Sequence, residues 1–197
     1  RVAAGIYLGF NDAKINDWTQ AHKTETLDWI APKVTLMGDG LVELAAIGLF
    51  GSIGGKKEKL VARNAVESFI EAGAVVTAMK YLIGRRRPDK SPSGAWNLSG
   101  PNFNNDSFPS GHTFAAFSLA SVVGDAYDCE ITAYAVAGLV GLSRMYLERH
   151  WSTDVLVGAV IGTLIGRMNR LTAEERSNPS AALSVPFSPG VMLTYLF

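Results

Sequence analysis

Every apolar stretch in this sequence is cut short, and that limit governs what the chain can fold into. A helix that crosses a bilayer needs about 20 mostly apolar residues in a row. The uncharged run between Glu43 and Lys56 ends in Gly54-Gly55. The run 131–143 is closed by Glu130 and Arg144, and the run 155–166 by Asp154 and Arg167. The stretch 107–124 opens with the polar Pro109-Ser110-Gly111-His112, and the helical stretch 61–84 carries Glu67 and Glu71. In the uncharged tail beyond Arg176, Pro179, Pro186 and Pro189 exclude a continuous helix. Charged residues are nonetheless only 18% and hydrophobic ones 48%, against a charged share of about 25% in ordinary soluble domains. So much apolar material in short pieces predicts a compact all-α bundle with a buried core, with peripheral contact to a membrane rather than a span.

The chain has 197 residues, enough for one domain with a single substantial core. We expect one domain over 1–197, with a helical core at 38–168 and a tail at 177–197. About six helices are predicted from apolar periodicity and breakers. The first covers 15–36 and is interrupted by Pro32; the first ten residues, with Gly5 and Gly9, read as irregular. Others follow at 41–50, 60–82, 110–124, 129–145 and 152–168, the third on the repeat Ala65, Phe69, Ala72, Val76, Met79. Gly38-Asp39-Gly40 reads as a breaker. Residues 89–109 read as a long loop, and long loops within compact domains are commonly functional. Its Trp96 and Phe103 either flank a site entrance or anchor the loop. The tail ends in the apolar 191–197, which reads as a short extended arm. There is no internal repeat.

Global charge excludes little by itself. The formal net charge is +0, so nothing argues for a nucleic-acid partner. Cys129 is alone, so no intramolecular disulfide forms. The sequence begins at Arg1 without methionine and shows no secretory leader; processing or trimming would give such a start, so export stays open.

Three clusters carry chemistry, each at a predicted helix end. Lys80 and Arg87 are seven residues apart, two helical turns, beside Arg85, Arg86 and Pro88. Pro109-Ser110-Gly111-His112 leaves the long loop and enters a helix, where Ser110 can cap and free N–H groups favour an anion. Ser143-Arg144 precedes His150 and Asp154, and four residues between these two place them on one face if helical. Arg144 is a bidentate donor suited to phosphate. Each cluster alone is explained by ordinary capping and helix-dipole preferences. Together they place two of the three histidines among strong cations, which is a coherent anion-processing set. No Cys/His cluster or carboxylate pair suggests a metal, so neither metal nor cofactor is expected.

The order and spacing of Lys80…Arg87-Pro88, Pro109-Ser110-Gly111-His112 and Ser143-Arg144…His150…Asp154 resemble, at every signature position, the three-part motif of the type-2 phosphatidic acid phosphatase superfamily. That superfamily also includes bacterial class A acid phosphatases and vanadium haloperoxidases. The resemblance covers 38–168 and implies a helical bundle. It implies that His150 is the nucleophile of a phosphohistidine intermediate, Asp154 its orienting partner and His112 the general acid. It implies that Lys80, Arg87, Ser110, Gly111 and Arg144 hold the phosphate, that vanadate competes, and that the protein is periplasmic or otherwise exported. Hydrolysis of lipid or polyprenyl phosphates is the leading expectation. A broad-specificity periplasmic acid phosphatase is the alternative, ahead of a haloperoxidase or a phosphate-binding module without turnover.

Overall fold

The computed structural model describes residues 2–91 and 94–177, with side chains described for 11–91 and 94–170. Seven α-helices follow in order: α1 Val2–Ala21, α2 Glu25–Val34, α3 Gly40–Ile53, α4 Lys56–Ile83, α5 Gly111–Ala126, α6 Glu130–Tyr146 and α7 Ser152–Ser177. No strand forms among the described residues, only an isolated bridge between Arg85 and Leu98. The all-α expectation holds with one helix more than predicted. From residue 178 on, the expected extended tail lies outside the described residues.

The differences fall at the N-terminal end. Helix α1 starts at Val2, although Gly5 and Gly9 suggested irregular chain. A glycine costs a helix only about 1 kcal/mol, and α1 packs along α7, which overrides that cost. The helix expected over 15–36 is two helices. Thr24 breaks it, its extended backbone (φ −138°) and its hydroxyl, which accepts from the Leu27 N–H, capping α2. Pro32 is tolerated inside α2, which then tightens into a 3-10 turn at Thr35–Gly38.

The core forms where α5 is enclosed by α4, α6 and α7. Ala72 and Val76 of α4 pack on Phe114 and Ala115 of α5, with Ile161 and Ile165 of α7 closing over them. The α5–α7 contact is close because three glycines four residues apart face α5. A Cβ at Gly158 would lie 2.6 Å from the Ser110 carbonyl, one at Gly162 would run into the Phe114 carbonyl, and one at Gly166 would lie 2.7 Å from Ser121 Cβ. This seam fixes the register of α7 against α5 and joins two distant motif segments. The Ser110 N–H donates to the Asp154 carbonyl at 3.0 Å.

Among the described residues no single helix is long and apolar enough to cross a membrane. The segments Glu25–Gly38 and Gly40–Ile53 pass that test only together, bent by 57°.

Candidate active site

Helix ends bring the expected residues together. Helix α4 closes at Gly84, whose left-handed φ of 56° lets its N–H donate to the Lys80 carbonyl at 2.9 Å. The loop after it folds back on the helix end, with the Ser107 N–H donating to the Arg85 carbonyl at 3.0 Å and the Asn102 N–H to the Tyr81 carbonyl at 2.9 Å. That return places 106–110 over Lys80. Ser110 caps α5, its hydroxyl oxygen accepting from Thr113 N–H at 3.4 Å and Thr113 Oγ1–H at 2.8 Å. Those bonds occupy its lone pairs and leave its proton for a ligand. In front of Gly111 the space is open: a Cβ there would meet nothing within 4 Å.

His150 is 3% exposed, and its Nδ1 lies 2.6 Å from the Ser107 carbonyl. A carbonyl only accepts, so Nδ1 carries the hydrogen and Nε2 keeps its lone pair. Burial pushes the imidazole pKa down to about 4, against the pull of Asp154 and with help from Lys80 and Arg144. His150 is therefore neutral near pH 7. Asp154 Oδ2 stands 3.6 Å from Nδ1, too far for a hydrogen bond. The sequence places the two on one face if helical; α7 begins only at Ser152, yet the four-residue spacing still brings them together. Asp154 accepts from Ser107 Oγ–H, from Trp151 N–H at 2.9 Å and from Arg85 Nη1–H at 2.6 Å. Burial favours its neutral form, but His150, Arg85 and Ser107 together hold the carboxyl below its ordinary range.

Behind Asp154 lies a buried ionic chain. Arg85 is fully buried and spends its guanidinium on the Ala95 carbonyl (2.8 Å), Thr153 Oγ1 (2.7 Å), Asp154 Oδ1 (2.6 Å) and Asp12 Oδ2 (2.6 Å). Asp12, on α1, also accepts from Ser152 Oγ–H, Thr153 Oγ1–H and the Thr153 N–H at the start of α7. Trp96 lies 4.2 Å over the Arg85 guanidinium, so this loop aromatic anchors the loop. Phe103 stacks on Tyr81 with centroids 4.8 Å apart. Trp151 is packing, as expected, 4% exposed with its indole N–H donated to the Arg86 carbonyl at 2.9 Å.

The cations lie within electrostatic reach of one another. Arg87 makes a two-pronged contact to Asp106 at 2.9 and 2.7 Å, and Lys80 donates to the Asp106 carbonyl. Burial pushes Asp106 upward, but Arg87, Lys80 and His150 outweigh it and the carboxyl sits below its ordinary range. Arg144 donates to Thr35 Oγ1 at 2.8 Å, while its buried Nε has no hydrogen-bond partner. A buried donor without an acceptor is costly and suits an incoming oxyanion. His112 lies with Nε2 4.0 Å from Asp39 Oδ2. Burial, then Arg144 and His150, push its pKa down to about 4, with Asp39 opposing. A bound dianion would reverse the cationic part of that shift.

Sequence reasoning missed Asp12, Arg85, Asp106, Ser107 and Asp39 as members of the site. Only Arg85 carried a local signal, as part of the basic run 85–87.

Burial pushes Lys80 down to about 8, Asp106 resisting and Arg87 adding to the fall. Its charge is present below that pH and lost above it. Below about pH 8 Lys80 therefore adds no pH dependence to the binding of tungstate, a tetrahedral dianion. Above that, affinity should fall by up to about tenfold per pH unit, one proton being linked to binding. Lys80→Arg should hold its affinity to higher pH; a flat wild-type profile by calorimetry would remove Lys80 from the anion site.

Fold and geometry define the class: an all-α bundle that collects Lys80, Arg87, Arg144, His112 and His150 at its helix ends. The chain belongs to the PAP2 superfamily, whose profile matches residues 62–176. It is similar to lipid A 1-phosphatase of Porphyromonas gingivalis, 37% identical over 101 residues, which is 49% of this chain and 20% of that protein. The chain thus spans about a fifth of the length of that relative. It is also similar to decaprenylphosphoryl-5-phosphoribose phosphatase of Mycobacterium tuberculosis, 32% identical over 127 residues, 64% of this chain and 68% of that one. Its backbone resembles the crystal structure of a transmembrane PAP2-type phosphatidylglycerolphosphate phosphatase from Bacillus subtilis. There the TM-score is 0.68 at 22% identity, over 88% of this chain and 94% of that one. It also resembles that of LpxE from Aquifex aeolicus, with a TM-score of 0.60 at 21% identity, over 81% and 94% of the two chains.

Proposed function

We propose that this protein is a membrane-associated lipid phosphatase that hydrolyses phosphomonoesters through a phosphohistidine. The observation that carries the reading is the state of His150: neutral, its Nδ1–H committed to the Ser107 carbonyl so that Nε2 keeps its lone pair, with the Lys80 and Arg144 cations near enough to act on the ring. Lys80, Arg87, Arg144, Ser110 and the Gly111 N–H would hold the phosphoryl oxygens and stabilise their developing charge. Substrate phosphate would take Arg87 over from Asp106. Nε2 of His150 forms a bond to phosphorus as the P–O ester bond breaks. His112, protonated once the dianion is bound, gives its proton to the leaving alcohol oxygen. Water then attacks phosphorus, passes a proton to His112, and the P–N bond breaks to release inorganic phosphate. Asp154 balances the charge that His150 acquires in between.

A lipid substrate is favoured by the named phosphatase relatives and by large apolar side chains left in solvent. Leu41 and Ile53 on α3 and Ile131 on α6 are 81%, 78% and 89% exposed, apolar side chains that contact with a bilayer would cover. A periplasmic or exported location fits such a substrate.

The test is phosphate release by the purified protein in EDTA from phosphatidic acid, a polyprenyl diphosphate and a soluble aryl phosphate, with and without vanadate. Vanadate-sensitive turnover of the lipids well above the aryl phosphate is expected. Equal turnover of the aryl phosphate would make this a broad acid phosphatase, and turnover of none would end the phosphatase reading.

A further inference from the structure

Asp12 is a buried acid that the chemistry above does not use. It sits on α1, outside every motif segment, and is 1% exposed. Four donors meet it: Arg85 Nη2–H at 2.6 Å, the Thr153 N–H at 2.9 Å, and the hydroxyls of Ser152 and Thr153. A carboxyl group met only by donors is a carboxylate. Its charged partner, Arg85, already has a counter-ion in Asp154 at 2.6 Å. One guanidinium is thus shared by two carboxylates, all three side chains fully buried, and the chain carries one negative charge in excess. Every buried ion gives up its hydration, so holding the fold asks for one acid on Arg85, not two.

Contacts carry that excess charge to the imidazole. Asp154 Oδ2 lies 3.6 Å from His150 Nδ1. Ser107 joins the same two residues, its hydroxyl donating to Asp154 and its carbonyl accepting from His150 at 2.6 Å. In the resting site His150 is neutral, so no positive charge on the ring answers the excess. When Nε2 bonds to phosphorus and the ester P–O bond breaks, the ring keeps its Nδ1–H and becomes cationic. Lys80 and Arg144 oppose that charge, and Asp154 is the charged group that favours it most. Asp106, the other acid acting on the ring, is spent on Arg87 and Lys80. With Asp154 as the sole acid on Arg85, the pair would be neutral and the cationic ring would lack a counter-charge.

We infer that Asp12 is a positioning residue for phosphoryl transfer: by sharing Arg85 it leaves Asp154 with the net negative charge that the phosphorylated His150 ring requires. It acts through Arg85 and Asp154, not on the ring itself. A charge set in place before the reaction lowers the barrier to the intermediate without adding to substrate binding. The inference rests on the phosphohistidine reading.

The test compares two variants with the wild type. Asp12→Asn keeps the shape and an acceptor for the Thr153 N–H but removes the charge; Ser152→Ala removes one Asp12 contact and keeps the charge. The probe is an aryl phosphate, whose good leaving group needs little help from His112, so that its single-turnover rate reports attack by His150. Asp12→Asn should slow release of the aryl alcohol at saturating substrate by at least about tenfold, while tungstate affinity stays within about twofold. Ser152→Ala should stay within about twofold in both. Adding Arg85→Gln to Asp12→Asn returns the single negative charge to Asp154 and should recover most of the rate, whereas an Asp12 that only holds α1 in place would make the double variant the worse of the two. Where Asp12→Asn does not fold, the double variant carries the test: turnover within about tenfold of wild type is expected, and none above background overturns the inference. A wild-type rate in Asp12→Asn, tungstate binding lost in step with the rate, or a double variant slower than the single one also overturns it, and each leaves the phosphatase reading standing. A wild type that hydrolyses neither the aryl phosphate nor phosphatidic acid overturns both.

Discussion

His150→Ala should release no phosphate above background in single-turnover assays, a loss of at least about three orders of magnitude, while still binding tungstate. The two halves of that result separate chemistry from recognition. In our proposal recognition falls to Lys80, Arg87 and Arg144, which contact Asp106 and Thr35 rather than the imidazole. Chemistry in the same proposal falls to Nε2, the nitrogen that the Ser107 carbonyl leaves unprotonated. A variant with wild-type turnover would mean that another atom attacks phosphorus. The pH dependence of stability offers a second check. The folded pKa of His150 is about 4, below the ordinary 6.5, so between these values the unfolded chain binds the proton more readily. Wild-type stability should therefore fall as pH drops from about 6.5 towards 4, and removing the imidazole should flatten that fall. His112, also pushed down to about 4, contributes in the same window and keeps part of the slope in the variant.

Arg85→Leu should be the most destabilising single change in the chain. It would leave Asp12 and Asp154 buried with no cation between them, and breaking a buried pair by removing one partner costs about 3–5 kcal/mol. That corresponds to a fall of roughly 10 °C in melting temperature for a chain of this length. Arg85→Lys should recover little, because an ammonium cannot reach Ala95, Thr153, Asp154 and Asp12 from one planar fork. Denaturant unfolding of both variants measures this directly. An Arg85→Leu protein within about 0.5 kcal/mol of wild type, the range of an ordinary surface substitution, would show that the ionic chain is not what holds α1, α4 and α7 together.

The helices that bury most were the most legible in sequence. The period of Ala65, Phe69, Ala72 and Val76 marked α4, and the order of the three clusters marked their helix ends. Boundaries failed where local preference was weak and packing decided, as at Gly5 and Gly9. Within the site, the residues read correctly as neighbours are those whose partners lie close in sequence or at helix ends. Asp12 was invisible because its partners, Arg85 and Thr153, are far along the chain and only packing of α1 brings them together. Asp106 looked like an ordinary loop residue, and nothing local tells that the loop folds back to set it on Arg87. Asp39 was read only as part of a breaker; its facing of His112 depends on how the 3-10 turn meets α5.

The glycine seam between α5 and α7 carries a consequence for how proteins of this architecture can diversify. Because Gly158, Gly162 and Gly166 seat one helix directly on the backbone of the other, the spacing of Ser110 and His112 from His150 is gauged by that contact rather than by the chain joining them. The turn between α5 and α6, at 127–129, sits at the opposite end of the bundle. Insertions there would lengthen the molecule without transmitting displacement to the candidate site, whereas one residue added within 155–166 would rotate every seat beyond it by about 100°. Evolution is thus free to elaborate one pole of the bundle and is held to a fixed count at the other.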